Sequence, residues 1–437
     1  ARPPVFGGKV QSVDDSAALK VPGVERVIRI PEPSIPAGFK PLGGVAVVAK
    51  NTWAAIKGRD ALKITWADGP NATYDSVAYK KSLQASVRSP GKAGRTLGNA
   101  ETALARASRR ISSEYYVPHL SHAQMEPVVS IARVQNGTVE VWAPTQSPQD
   151  ARGTLAEYLK MDIEKITVHV TLLGGAFGRK SKPDFLCESA YLAREVGAPV
   201  RVQWTREDDM RSSYYHSVAA HRLEAGVDAS GKVTAWRHRS AYPAIAATFA
   251  PKVAGADADE LTNGASDIPY AIPNMSVEIC PAAAHARIGW YRSVNAIHHG
   301  FAIGSFVDEL ARATKTDPVQ FLQQLIGPDR SVDLSKDGLV APASNYGATW
   351  TDHPLDTARA KRVVQLAADK AGWGTPLPKG RGRGIAMHRS FLSYVAMVVE
   401  VEVRDDGTVL VPRATVAVDA GFVANPDRAR AQMEGAL

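Results

Sequence analysis

Residues 171–183 read TLLGGAFGRKSKP, an apolar run followed by three glycines in five residues and then by basic residues. A glycine-rich turn ahead of a helix frees backbone N–H groups to bind anions. The phosphate-loop pattern requires Gly-Lys-Ser/Thr, whereas Lys180 here follows Arg179. We therefore expect this loop to approach a polar ligand through its backbone, with a plain tight turn as the alternative.

The residues on either side of the loop predict a strand before it and a helix after it. KITVHVTLL indicates a buried strand, and KPDFLCESAYLAREVG indicates a helix that ends at Gly197. Upstream, Asn136-Gly137 joins two alternating segments into a predicted β-hairpin. Strands and helices mix elsewhere without a regular βαβ alternation, so the predicted fold class is α+β.

Shifts in composition divide the chain into four parts. Residues 1–70 predict a small α+β unit in which Asn51 caps a helix. The density of apolar residues falls over residues 71–109, which predicts a connecting segment with one or two short helices. Residues 110–330 and residues 331–437 predict two further mixed regions.

Composition excludes several classes of protein. The 437 residues are 45% hydrophobic and 22% charged, which is typical of a folded globular protein. The net charge of +8 comes from scattered basic residues, so nucleic-acid binding is not expected. No apolar run approaches the roughly 18 residues of a membrane-spanning helix. The two cysteines, Cys187 and Cys280, cannot form a four-cysteine iron–sulfur site.

Two histidine motifs could bind a metal ion. His119, His122 and Glu126 have a spacing that could place them on one face of a helix, but prolines flank the segment, so a structural or pocket-lining role is favoured. His298 and His299 begin an apolar helix, where capping or packing is favoured over metal binding.

Five stretches in sequence order resemble the molybdenum-binding subunit of the xanthine dehydrogenase and aldehyde oxidase family, most closely the isoquinoline 1-oxidoreductase and bacterial aldehyde dehydrogenase type. They are KVQSVDDSAALKVPGVERVIRI, HAQMEPVVSIARV with VWAPTQ, GGAFGRK, IPYAIPN with GWYRSVNAIHHGFAIGSFVDELA, and VAVDAGFVANPDRARAQMEGAL. The resemblance implies a partial α/β-hammerhead domain over residues 1–70. It also implies a first molybdopterin-binding domain over residues 110–330 and the start of a second over residues 331–437.

The resemblance also implies a set of cofactor-binding residues. These are Gln146, Gly174, Gly175, Ala176, Phe177, Gly178, Arg292, Gln432 and Glu434. Gln146 matches a glutamine that hydrogen-bonds an oxygen on molybdenum, Phe177 borders the substrate space, and Gln432 matches a glutamine that bonds the pterin. The sulfur atoms of the pterin hold molybdenum in this family, so no direct protein ligand to the metal is expected.

The implied activity is hydroxylation of an aldehyde or an N-heteroaromatic ring, with water as the oxygen source. Bacterial relatives usually carry molybdopterin cytosine dinucleotide, which is the form expected here. Electrons are expected to leave through 2Fe-2S clusters on a small partner subunit, and a cytochrome c is a candidate acceptor. The resemblance favours a periplasmic over a cytoplasmic location.

Several departures from the family pattern limit the assignment of roles. The glutamate that serves as general base in the family lies beyond Leu437, so no catalytic residue is assigned, and the chain is expected to be incomplete at both ends. The remainder of the large subunit, or a complementary chain, is therefore an expected partner. Ser181 stands where purine oxidisers carry a glutamate, which argues against a purine substrate. A truncated relative that holds cofactor as a scaffold without turnover is the alternative function.

Overall fold

A computed structural model describes all 437 residues, which form eighteen strands and eleven α-helices. The strands are β1 (Lys9–Asp14), β2 (Val24–Ile30), β3 (Gly44–Ala49), β4 (Lys63–Ala67), β5 (Lys92–Leu97), β6 (Arg109–Val117), β7 (Val129–Gln135), β8 (Thr138–Ala143), β9 (Ile166–Val170), β10 (Val200–Gln203), β11 (Ala219–Val227), β12 (Val233–Ala241), β13 (Asn274–Cys280), β14 (Ser331–Val332), β15 (Leu355–Asp356), β16 (Arg381–Ser390), β17 (Ser393–Val403) and β18 (Val409–Asp419). The helices are α1 (Thr52–Ala61), α2 (Ser76–Arg88), α3 (Ala100–Arg106), α4 (Pro148–Leu159), α5 (Asp184–Val196), α6 (Arg206–Arg211), α7 (Ala258–Leu261), α8 (Ala296–Thr314), α9 (Pro318–Ile326), α10 (Thr357–Ala371) and α11 (Pro426–Glu434).

Two small antiparallel ladders form the first part of the chain, where β1 pairs with β4 and β2 pairs with β3. Helix α1 packs against β3. It begins where the sequence predicts, because the Asn51 side chain accepts a hydrogen bond from the N–H of Ala54 at 2.9 Å.

A four-stranded sheet of order β10-β7-β8-β9 carries the glycine loop at one edge. The hairpin predicted between β7 and β8 is confirmed, with φ of 52° at Asn136 and 73° at Gly137. Helices α4 and α5 cover this sheet and share an apolar core with it. Helix α5 ends at Gly197 with a φ of 73°, as predicted.

A five-stranded sheet of order β5-β13-β12-β11-β6 forms the centre of the molecule. Residues 71–109, expected to be a connection, contain α2, β5 and α3. Strand β5 pairs with β13 at the edge of this sheet, and both helices pack against it. Helix α8 packs on β11 and also on β16, so the sheet shares one apolar core with the later strands and α10.

The fold class is confirmed as α+β, since separate sheets are covered by helices without a repeated βαβ unit. The three-stranded meander β16-β17-β18 packs against α10, and α11 follows it. None of the helices has both the length and the apolar character that crossing a bilayer requires.

One local expectation is wrong, and one disfavoured alternative is excluded. The strand before the glycine loop is not buried, because β9 is an edge strand that ends at Val170 and Leu172 is 95% exposed. The segment with His119, His122 and Glu126 forms no helix, so the helical metal site is excluded. The favoured structural role stands instead: His119 Nδ1 lies 3.2 Å from the backbone nitrogen of Val218, which donates to it.

Candidate functional site

The glycine loop turns sharply between β9 and α5. The backbone has positive φ at Gly175 (85°), Phe177 (52°) and Gly178 (105°), a region that glycine enters without steric cost. A β-carbon at Gly178 would overlap the carbonyl oxygen of Trp290. Both the conformation and the close backbone approach therefore require glycine at this position.

The loop presents unused backbone donors. The N–H groups of Gly175, Ala176 and Phe177 donate to no acceptor within the protein. Successive N–H groups in a turn of this kind form a concave surface that binds anions and oxygen atoms. The loop can therefore hold a polar ligand through its main chain, as the sequence predicts.

Gln146 lies beside this loop, in the connection from β8 to α4. Its Oε1 accepts a hydrogen bond from the N–H of Gly178 at 3.1 Å, and its own N–H donates to the carbonyl of Lys180 at 3.0 Å. The residue is exposed, so its amide nitrogen remains accessible to a ligand. The structure thus joins two predicted site residues that are 32 positions apart.

A further predicted residue, Arg292, contacts the loop and connects it to a second one, Gln432. The N–H of Arg292 donates to the carbonyl of Phe177 at 2.9 Å, and the Arg292 guanidinium lies 5.3 Å from the centre of the Phe177 ring. Arg292 Nη1 also donates to Oε1 of Gln432 at 2.8 Å. A continuous series of direct contacts therefore connects Gln146, Gly178, Phe177, Arg292 and Gln432.

The remaining predicted residues take different positions. The N–H of Gly174 donates to Glu126 Oε2 at 3.1 Å, and Ala176 is buried beneath the loop. Glu434 is exposed on α11, and its side chain makes no hydrogen bond or ion pair with the other predicted residues. The structure brings the other predicted residues together but leaves Glu434 apart from them.

The lysine that follows the loop lies inside the protein. Lys182 is fully buried, and its Nζ donates to the carbonyls of Gly178 at 2.5 Å and Trp290 at 3.0 Å. Burial, and then the charge of Arg179, holds the pKa of Lys182 well below its usual range. Ser181 donates to Gly178 and accepts from the Trp290 indole. These side chains support the loop from below.

The other basic residues of the stretch are also buried, and each has a carboxylate partner. Arg179 donates to Asp184 at 2.9 and 3.1 Å, and Arg287 lies 3.1 Å from the same carboxylate. Lys180 pairs with Glu126. Burial acts to raise the pKa of Glu126, but the bonds from Lys180 and from the N–H of Gly174 outweigh it and lower the pKa. The carboxylate beside the loop is therefore ionised and already engaged.

His122 is a contributor that sequence reasoning placed only generally, as pocket-lining. Its Nε2 lies 3.0 Å from the carbonyl oxygen of Trp290, which also accepts from Lys182. Burial, followed by the charge of Lys182, lowers the pKa of His122 to about 3, so the ring is neutral at pH 7. The importance of Trp290 was not predicted; its position two residues before Arg292 was the available signal.

The molybdopterin cofactor-binding domain model matches residues 86–324, slightly more than half of the chain. A curated relative, the membrane-bound aldehyde dehydrogenase [pyrroloquinoline-quinone] of Gluconacetobacter polyoxogenes, is 31% identical over 99% of this chain and 56% of its own length. The isoquinoline 1-oxidoreductase subunit beta of Brevundimonas diminuta is 28% identical over 99% of this chain and 53% of its own. The chain thus spans about half the length of these relatives.

Among solved structures, the aldehyde oxidoreductase of Desulfovibrio gigas has a similar fold. The TM-score is 0.62 at 17% sequence identity, over 92% of this chain and 47% of that protein. At this level of identity the similarity concerns the fold alone.

Proposed function

This chain belongs to the molybdopterin cofactor-binding domain family, and on that premise we propose that it forms the cofactor-binding part of a molybdenum hydroxylase. The substrate class is an aldehyde or an N-heteroaromatic ring, with water as the source of the oxygen atom. The observation that carries the proposal is the continuous set of contacts from Gln146 through the glycine loop to Arg292 and Gln432.

The residues at the loop fit a molybdenum–pterin cofactor. Three N–H groups without an acceptor can bond the oxygen atoms of such a group, and the glycines remove the side chains that would obstruct it. Gln146 and Gln432 offer amides, which match a pterin because an amide carries a donor and an acceptor together. Arg292 adds a positive charge that suits the anionic phosphate of the cofactor.

When bound, the cofactor supplies the redox centre that oxidises the substrate carbon with oxygen from water. The residues of the protein position the cofactor and limit the space above the loop. Phe177, whose φ is 52° and whose ring centre lies 5.3 Å from the Arg292 guanidinium, would border the space above the loop as an apolar wall. Ser181 lies below the loop and is hydrogen-bonded to Gly178 and Trp290. Because this residue is a serine, position 181 supplies no carboxylate to a substrate.

Electron exit is the reason we include an iron–sulfur partner in the proposal. Cys187 and Cys280 are both buried in separate cores, and two thiols cannot supply a four-cysteine cluster. A small 2Fe-2S subunit, and a cofactor in the cytosine dinucleotide form, complete the proposed enzyme.

The test uses the holoenzyme that contains this chain, with Gln146→Ala compared with Gln149→Ala, an exposed glutamine three residues further on in α4. An aromatic aldehyde and an N-heterocycle are oxidised in ¹⁸O-labelled water with a dye as electron acceptor. We expect one labelled oxygen atom per product molecule. We also expect kcat to fall by about tenfold or more in Gln146→Ala, because a hydrogen bond near the developing charge is lost, and to be unchanged in Gln149→Ala.

Metal and cofactor analysis of the same samples separates the alternatives. Molybdenum at one equivalent per chain without turnover would favour a scaffold that holds cofactor. A quinone cofactor without molybdenum would instead agree with the name of the Gluconacetobacter relative and would refute the proposal.

A further inference from the structure

Four histidines from three elements meet in the interior and form what we term the histidine cluster. His221 lies on β11, His238 on β12, and His298 and His299 in the first turn of α8. All four residues have 0% of their surface exposed. The ring centres of the contacting pairs lie 4.2 to 5.7 Å apart.

Three members of the cluster bring ligand atoms close together. One nitrogen from each of His221, His298 and His299 lies within 4.8 Å of the other two. The Nε2 atoms of His221 and His299, and both ring nitrogens of His298, have no hydrogen-bond partner in the protein. Buried polar atoms are nearly always paired, so this group of unpaired nitrogens requires an explanation.

Hydrogen bonds to other residues orient the rings of His299 and His221. Nδ1 of His299 lies 3.0 Å from the carbonyl oxygen of Asn263, so it carries the proton and leaves the Nε2 lone pair free. Nδ1 of His221 lies 3.1 Å from Nε2 of His238 and from Oγ of Ser240. This is how metal-binding histidines are usually held, with one nitrogen bonded to the protein and the other turned to the metal.

The burial of the three rings also suits metal binding. Each ring has 0% of its surface exposed, and burial favours the uncharged imidazole, which is the form that donates a lone pair to a metal.

We propose that His221, His298 and His299 bind one divalent transition-metal ion of the Zn²⁺ class. Neutral imidazole suits Zn²⁺, whereas Mg²⁺ and Ca²⁺ require oxygen ligands, and no carboxylate belongs to the cluster. Two ligands of a tetrahedral zinc ion lie about 3.4 Å apart, and the three nitrogens lie within 4.8 Å of one another, so they would move together on binding.

The surroundings leave room for a fourth ligand. The hydroxyl of Tyr242 is buried without a partner, and its ring centre lies 4.6 Å from that of His298. A water molecule in the fourth position can bond this hydroxyl. A cavity of about 210 Å³ is lined by Asn295 and by Asn263, whose carbonyl oxygen lies 3.0 Å from Nδ1 of His299.

The proposed ion has a structural consequence that is separate from the cofactor loop. His221 is on the central sheet, while His298 and His299 are on the helix that joins this sheet to the later meander. A metal ion held by these three residues links β11 to α8 across the largest core. None of the three residues contacts Gln146, the glycine loop, Arg292 or Gln432.

The experiment measures Zn²⁺ and Co²⁺ binding to the purified full chain after removal of metals with a chelator. We expect about one Zn²⁺ per chain, a rise in Tm on adding Zn²⁺, and a Co²⁺ absorption spectrum of tetrahedral nitrogen coordination. His298→Gln and His221→Gln should each weaken Zn²⁺ binding by at least about tenfold, while the half-buried control His119→Gln retains it.

Each outcome decides the proposal. The proposal is overturned if the wild-type chain binds Zn²⁺ no more tightly than exposed surface histidines do, whether or not the variants fold. Equal Zn²⁺ affinity in folded wild type, His298→Gln and His221→Gln also overturns it, because binding then lies elsewhere. If the variants do not fold, the Co²⁺ spectrum of the wild-type chain decides the ligand set.

Discussion

The glycine loop and the histidine cluster both present polar atoms that the protein itself does not satisfy, but they do so in opposite ways. At the loop, the unpaired atoms are backbone N–H groups of consecutive residues near the surface. In the cluster, they are side-chain nitrogens from β11 and α8, fully buried and far apart in sequence. A short sequence can encode the first kind of site, whereas the second exists only when distant elements pack.

The largest expected effect is on molybdenum content, and it comes from adding a side chain to the loop at Gly178. Gly178→Ala adds a β-carbon that overlaps the Trp290 carbonyl at a φ of 105°, so the loop must move. We expect molybdenum content to fall by more than about tenfold and the free energy of unfolding to fall by about 2 kcal/mol. Elemental analysis and urea unfolding measure the two quantities.

The matched control is Gly153→Ala in α4, where the added β-carbon meets no atom. This change should keep molybdenum and raise helix stability slightly. Full molybdenum occupancy in Gly178→Ala would contradict the backbone site and make the loop a plain turn. Zn²⁺ binding at the histidine cluster should be the same in both variants, which sharpens the comparison.

Acid should weaken the support of the loop through His122. Its pKa is about 3 in the folded chain and 6.5 when unfolded, so the unfolded state binds more protons between these values. The stabilising contribution of the neutral His122 ring is therefore complete above pH 6.5 and is lost as the pH falls toward 3, by about 3 kcal/mol at pH 4.

Urea unfolding at pH 7, 5.5 and 4, with a chelator present, measures this loss. His122→Gln should reduce the slope because one buried titrating ring is gone, whereas the exposed His353→Gln should leave the slope unchanged. An unchanged slope in His122→Gln would show that the loop support does not depend on a neutral ring.

The smallest expected effect concerns the lysine beneath the loop. Lys182→Met keeps the apolar stem but removes the donor to the carbonyls of Gly178 and Trp290. We expect a loss of about 1–2 kcal/mol in unfolding free energy, with the exposed Lys81→Met as the neutral control. A Tm equal to that of the wild type would mean that water replaces the amine and that the loop stands without it.

The sequence predicted the elements whose geometry depends on neighbouring residues. The caps at Asn51 and Gly197 and the turn at Asn136-Gly137 are confirmed, since local sterics and hydrogen bonds determine them. The molybdenum-subunit resemblance is confirmed by the family match over residues 86–324. The cofactor-binding roles of Gln146, Arg292 and Gln432 stay predictions, although the structure brings the three to one loop.

Burial was not predictable for residues that pack against distant parts of the chain. TVHVTLL has the apolar pattern of a buried strand, yet β9 lies at a sheet edge because nothing pairs beyond it. The basic stretch from Arg179 to Lys182 is buried because Asp184 and Glu126 pair with Arg179 and Lys180, and two carbonyl oxygens accept from Lys182. Sequence spacing does not reveal such partners.

By itself, the sequence determined the glycine loop, its bare backbone and the α+β class, because glycine conformation and hydrophobic pattern act over a few residues. Only the tertiary structure decided that Trp290 supports that loop and that His221 meets His298 and His299. Those contacts join residues about 80 or more positions apart, and they form only when the sheets and α8 pack around shared cores.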